Sequence, residues 1–188
     1  MLEIRVIGEL EVRLGGVTAE LPASRRSRAL LGWLAIHPGR HSRARLAGLF
    51  WPDVLDASAR ASLRSAMWAL RAALGPELGG YLAGDRDTIT LAGDGLRVDL
   101  REARRLLAER QPAAAVALCG GELLQDLDDE WVLAARDELD RDLAPFYCPE
   151  CDLNYCSGDW NTSVIFDEDF YDYTEGTCPS GHRHKVDD

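Results

Sequence analysis

The spacing of apolar positions changes along the chain, and each change marks an element. Residues 2–7 and 10–14 alternate over short distances, the period of half-buried strands. Gly15-Gly16 then predicts a hairpin turn leading to a third strand over 17–21. Ser24 opens a helical period with Ala29, Leu30, Trp33 and Leu34 on one face, and His37-Pro38-Gly39 ends it. Ser42 caps a short second helix over 43–50, which Trp51-Pro52-Asp53 breaks. A third helix spans 56–74. Its Leu63, Met67, Leu70 and Leu74 recur at i, i+4, i+7 and i+11, one narrow buried stripe, before Gly75-Pro76. Residues 81–83 and 88–91 form a hairpin with Gly84-Asp85-Arg86-Asp87 at its tip. From Asp99 the pattern is helical again over 100–110, 112–118 and 130–143, the antiparallel pairing of a tetratricopeptide-like array.

The third helix has a second face. At 100° per residue, Arg60, Arg64, Trp68 and Arg71 fall together beside the apolar stripe, and the small Ala61, Ser65 and Ala72 lie beyond them. Small residues admit close approach to a groove floor, and arginines reach phosphates or guanine edges. Strands, three helices and a hairpin, in that order, make a winged helix-turn-helix, so this helix is expected in the DNA major groove. Arg43 and Arg45 open the second helix, where they would face phosphate. Arg86, at the hairpin tip, would enter the minor groove, although Asp85 and Asp87 beside it oppose phosphate. Trp68 is read equally as a backbone-stacking residue and as core under the wing.

Charge supports this division. The whole chain is acidic, with 21 Lys and Arg against 32 Asp and Glu. Yet residues 24–75 hold nine Arg against Asp53 and Asp56, and residues 101–188 hold 21 acidic side chains against eight basic ones. Such asymmetry marks a nucleic-acid-binding part joined to something else.

The string Ala29-Leu30-Leu31-Gly32-Trp33-Leu34-Ala35-Ile36-His37-Pro38-Gly39-Arg40 resembles the first helix of the actinobacterial antibiotic-regulatory (SARP-type) activators. So do Ser42-Arg43-Ala44-Arg45-Leu46, Leu49-Phe50-Trp51-Pro52-Asp53, Ala59-Arg60-Ala61-Ser62-Leu63-Arg64 and Leu70-Arg71-Ala72-Ala73-Leu74-Gly75. The resemblance runs on through Asp85-Arg86-Asp87-Thr88-Ile89-Thr90-Leu91 and Val98-Asp99. It enters the bacterial transcriptional activation domain at Gly121-Glu122-Leu123-Leu124 and Asp129-Glu130-Trp131-Val132. It implies an OmpR/PhoB-like winged helix, a third helix in the major groove, and recruitment of RNA polymerase. After Leu143 the activation-domain pattern stops, which leaves a truncated helical array: either the tail or a second copy covers its apolar face, or activation is impaired.

The composition breaks at Ala144. No Ala follows it, but eight of the 14 aromatics and four of the five Cys do. Cys148-Pro149-Glu150-Cys151 and Cys178-Pro179-Ser180-Gly181-His182 have the spacing of two zinc knuckles. Cys148, Cys151, Cys178 and His182 are the expected ligands, with Cys156 or His184 able to replace one. A 43-residue segment so poor in aliphatic side chains would hardly fold without a metal, and no H-E-x-x-H or similar catalytic spacing is present, so a structural Zn2+ is expected. The acidity of Asp167-Glu168-Asp169 argues against contact with DNA and for contact with a protein. Cys119 is expected as a small core residue within a helix.

The fold class is thus α+β in three parts. A winged helix-turn-helix with an N-terminal antiparallel sheet occupies 1–98, a partial helical activation domain 99–144, and a zinc-ribbon-like tail 145–188. No phosphate-binding glycine loop or nucleophile elbow points to an enzyme. The absence of a secretory signal and of a long apolar run places the chain in the cytoplasm, with no membrane partner. The function expected is duplex-DNA-binding transcription regulation, with possible self-association or protein contact through helices 99–143 or the tail. The alternative is a zinc-binding interaction or sensor module whose winged helix docks protein.

Overall fold

A computed structural model describes residues 1–75, 80–143, 146–155, 160–167 and 170–187. The chain divides into two compact units, Met1–Glu102 with Gly120–Val132, and Ala103–Cys119 with Leu133–Asp188. Mixed α+β architecture is present in the elements themselves. No helix among the described residues is long and apolar enough to cross a membrane.

The first unit opens with β1 (Leu2–Arg5), β2 (Glu11–Leu14) and β3 (Val17–Thr18). Gly15 and Gly16 both take positive φ, 59° and 88°, the conformation that a two-residue hairpin turn requires and that glycine adopts without strain. α1 (Arg25–Ile36) starts at Ser24, whose hydroxyl accepts from the Ser27 N–H at 3.3 Å. α2 (Arg43–Phe50) and α3 (Asp56–Leu74) come next, then the hairpin of β5 (Leu82–Gly84) and β6 (Thr88–Leu91). The expected stripe is the anchor of α3. Leu63, Met67, Leu70 and Leu74 are all buried, joined by Ala59 and Ala66. His37 stacks on Trp33 at 4.2 Å between ring centroids and His41 meets it edge-on at 4.5 Å, so both histidines serve packing.

Two strands differ from the sequence expectation. β4 (Arg40–Ser42) joins the hairpin to give the order β4-β6-β5, and β7 (Leu96–Val98) runs parallel to β1 at the edge of an otherwise antiparallel sheet of order β3-β2-β1-β7. Each has three residues, too few for a period to declare itself. Asp99, directly after β7, pins that strand to the end of β1. Its carboxylate accepts hydrogen bonds from the Val6, Ile7 and Leu100 N–H groups at 2.8–3.1 Å. Burial outweighs those bonds and pushes its carboxyl above the ordinary carboxylate range. The segment 120–132 also belongs to this unit. Leu124 packs into α1, where a Cβ on Gly32 would lie only 3.1 Å from its Cδ1.

At the hairpin tip Asp85 turns its carboxylate inward. It accepts from the Asp87 N–H at 2.9 Å and the Thr88 N–H at 2.7 Å, and Arg40 Nη2 lies 2.5 Å away. These bonds, the Asp87 and Thr88 amides foremost, hold its carboxyl down at about 2. Asp85 therefore organises the turn, and its charge is partly answered by Arg40.

The remaining helices are α4 (Asp99–Ala108), α5 (Pro112–Leu118) and α6 (Glu130–Leu143). Cys119 lies just beyond α5 as its C-cap and is half-buried, not a core residue inside the helix. In the second unit, β8 (Phe146–Cys148) pairs with β9 (Leu153–Tyr155), and β10 (Asn161–Asp167), β11 (Phe170–Thr177) and β12 (Arg183–Asp187) form an antiparallel sheet. Pro76, Ala144, Pro145, Cys156, Glu168 and Asp169 lie outside the described residues.

Two outcomes are expected. Leu70→Ala, which empties a fully buried position, should cost about 2–5 kcal/mol in denaturant unfolding. The depressed Asp85 carboxyl contributes stability that is present above its ordinary value of 3.8 and lost as pH falls through about 2. The Asp87 and Thr88 amide resonances should therefore move in that low window and not around pH 4, and Asp85→Ala should remove the movement.

Candidate nucleic-acid interface and candidate metal centre

With its stripe committed to the core, α3 offers its other side to solvent. Along it runs a groove of about 580 Å3. Arg60, Arg64, Trp68 and Arg71 line it from α3, Arg43 from the start of α2, and Arg86 from the hairpin tip. Six of the eight expected residues thus converge, from three separate elements. Arg45 is exposed on α2 outside this groove. Ser65 faces a second groove of about 760 Å3 on the other side of α3, which shares Arg64 and Trp68 with the first.

The arginines are not equally committed. Arg43 reaches beneath the hairpin and donates from Nε to the Asp85 carbonyl at 2.9 Å. Its passage needs Gly84, where a Cβ would lie 3.1 Å from Arg43 Nη2 and 2.9 Å from the Thr88 carbonyl oxygen. Arg71 donates from Nη2 to the Leu82 carbonyl at 3.1 Å, which ties α3 to the hairpin. Arg60 lies 3.8 Å from the Asp56 carboxylate, a solvent-exposed i,i+4 pair of little energetic weight. Among the described residues, the side chains of Arg45, Arg64 and Arg86 make no intramolecular hydrogen bond or ion pair, and all three residues are exposed. Trp68 is 72% exposed, which removes the reading that packs it under the hairpin. Asp85 and Asp87 also line the groove. Asp85 is spent on the turn, and the Asp87 carbonyl accepts from the Arg43 N–H at 2.9 Å. Sequence reasoning missed Arg40, whose partner is 45 residues away in the chain, and Arg26, which lines the second groove.

In the second unit, Cys148, Cys151, Cys178 and His182 come together with their donor atoms within 4.8 Å of one another. His182 Nδ1 stands 3.5, 3.3 and 3.5 Å from the sulfurs of Cys148, Cys151 and Cys178, and the Cys151 and Cys178 sulfurs are 3.8 Å apart. An ion with Zn–S of about 2.3 Å and Zn–N of about 2.0–2.1 Å at tetrahedral angles sets S···N near about 3.5 Å and S···S near about 3.8 Å. The cluster fits such an ion. The turn from Cys178 to His182 is closed by the Cys178 N–H donating to the His182 carbonyl at 2.9 Å. Burial pushes the Cys148 thiol up to about 11, while the backbone N–H groups of Cys151 and Glu150 pull the other way. A thiol held that high needs a cation to become thiolate.

His184 is the alternative histidine that the spacing allows. Its Nε2 lies 3.4 Å from the Cys148 sulfur but 2.7 Å from Glu150 Oε2, a hydrogen-bond length. His182 faces all three sulfurs, whereas His184, tilted against Trp160, stands beside Cys148 and Glu150, a second group that could hold an ion. Cys148, Cys178 and Trp160 are also the buried cluster of this region, so the candidate ligands are its core.

Among solved structures, Mycobacterium tuberculosis EmbR in complex with a low affinity phosphopeptide resembles the chain with a TM-score of 0.60 at 23% sequence identity. The likeness covers 76% of this chain and 42% of that one, so the chain spans less than half the EmbR length, and what is shared is the fold. No curated protein matches the sequence. Residues 80–188, a stretch that crosses the composition break, match the family described as Domain of unknown function (DUF8328), and the chain belongs to that family.

Proposed function

We propose that the chain is a transcription regulator of the antibiotic-regulatory type that binds duplex DNA. α1, α2, α3 and the β5–β6 hairpin act as a winged helix-turn-helix, with α3 in the major groove. The observation that carries this reading is the convergence of five arginines and an exposed Trp68 on one groove along α3. Arg64 is the leading candidate for base contact, because it is exposed at the middle of the face and uncommitted. Arg43 and Arg71, each anchored through one donor, keep others for phosphate, and Arg45 would extend that contact along α2. Ser65 and the small residues near it let the helix approach. Arg86 serves as the wing's contact. The fold likeness to EmbR supports this type of regulator. Recruitment of RNA polymerase, which the sequence resemblance implies, would fall to the helical segment.

In the tail, Cys148, Cys151, Cys178 and His182 would hold a structural Zn2+, which offsets most of the charge of three thiolates, two of them buried. The exposed Val164, Phe166, Phe170 and Tyr171 on the β10–β11 pair favour a second role there, contact with a protein partner.

The double variant Arg64→Ala, Arg86→Ala removes side chains without intramolecular partners. It should abolish gel shift of duplex DNA and leave the circular dichroism unchanged; undiminished binding refutes the DNA reading. Protein purified without oxygen should carry one zinc per chain. Cys151→Ser and His182→Ala should lose it, and His184→Ala should keep the stoichiometry with affinity weakened about 10–100-fold.

A further inference from the structure

The second groove along α3 lies on the side away from the hairpin, and the roles given above to Arg64, Ser65 and Trp68 leave the rest of its lining unexplained. Ser24, the cap of α1, lines it together with Arg26 and Ser27 from α1, and Ser62, Ser65 and Trp68 from α3. No carboxylate lines it, in contrast to the first groove, where Asp85 and Asp87 stand among the arginines. The arginines at the start of α1 are sorted by their partners. Arg25 pairs with Asp128 and with Asp129 at 3.2 Å. Arg28 lies 3.9 Å from Asp126 and donates to the carbonyls of Pro22 and Ala23 at 3.3 and 3.1 Å. Arg26, between them, is exposed, and its side chain makes no hydrogen bond or ion pair among the described residues. Nearby acids thus neutralise its neighbours and leave its guanidinium over the groove.

We propose that this groove receives the sugar-phosphate backbone of the second DNA strand, with Arg26 as its principal cation and the Ser62 hydroxyl as a further donor, while the Ser65 hydroxyl donates to the Ala61 carbonyl at 3.2 Å. The inference rests on the duplex reading and adds the other half of the contact. An α-helix with its side chains is about 10–12 Å across, and the B-DNA major groove is about 12 Å wide. A helix seated there has one phosphate backbone on each flank. Arg43, Arg71 and Arg86 occupy one flank of α3 and Arg26 the other, with Arg64 and Trp68 on the ridge between. A contact made to phosphate carries no base preference, so Arg26 would set orientation and register on the duplex.

The test uses the full chain and a fluorescently labelled 24-base-pair duplex of random sequence, with affinity measured across a salt series. Each phosphate neutralised contributes about 0.9 to the slope of log affinity against log salt. Arg26→Ala should reduce that slope by about one and weaken binding to different sequences equally, and Arg26→Lys should restore most of it. Arg97→Ala, an exposed position outside both grooves, should leave the slope unchanged. A slope for Arg26→Ala equal to that of the unaltered protein overturns the second-strand contact while the duplex reading stands. No binding by the unaltered protein at 50 mM salt overturns both.

Discussion

Helix α3 has to satisfy two incompatible solvents. Its Leu63, Met67, Leu70 and Leu74 are withdrawn almost completely from water, and burying four such side chains is worth on the order of 1.5–3 kcal/mol each. That anchoring fixes the rotation of the helix about its axis. With rotation fixed, Arg60, Arg64, Trp68 and Arg71 have no choice of direction. A guanidinium can be left without an internal partner only because the opposite face has already secured the helix. The ties from Arg71 to the Leu82 carbonyl and from Arg43 to the Asp85 carbonyl then set the hairpin against α2 and α3. The helix thereby determines where the hairpin tip stands.

The distribution of acids around this face is as informative as that of the arginines. Arg25, Arg28 and Arg40 are each matched to a carboxylate, and Asp56 stays near Arg60. These pairs are exposed or half-exposed and contribute little to stability. Their effect is on the field: on this face they leave Arg26, Arg43, Arg45, Arg64, Arg71 and Arg86 as the guanidinium groups without a carboxylate partner among the described residues. A net acidic chain can in this way present a cationic strip on the scale over which salt screens, about 8 Å under physiological conditions.

Much of this is legible in the residues alone, for definite reasons. The α3 stripe is 19 residues of one period, long enough to fix both the helix and its faces. The knuckle spacings named the four cysteine and histidine residues that converge in the second unit, because backbone turns of that length leave little freedom. What escaped was non-local or short. β4 and β7 owe their existence to partners more than 45 residues away. The roles of Asp85 and Arg40 depend on each other across the same distance. Trp68 was balanced between core and surface because periodicity places a residue beside a stripe without saying how far the neighbouring hairpin extends. That His182 is the histidine facing three sulfurs needed distances, since both His182 and His184 come after Cys178 at spacings a metal site can use.

Residues 120–132 return to the first unit and supply Asp126, Asp128 and Asp129 to the start of α1, and Leu124 to the space above Gly32. A fragment ending near residue 102 would keep every strand and helix of the arginine-bearing face, yet it would not be the same polyelectrolyte. Two more guanidinium groups would be unmasked and an apolar seat on α1 laid bare. Such a fragment would attract any polyanion more strongly, so the charge of the arginine-bearing face is partly set by residues downstream of it.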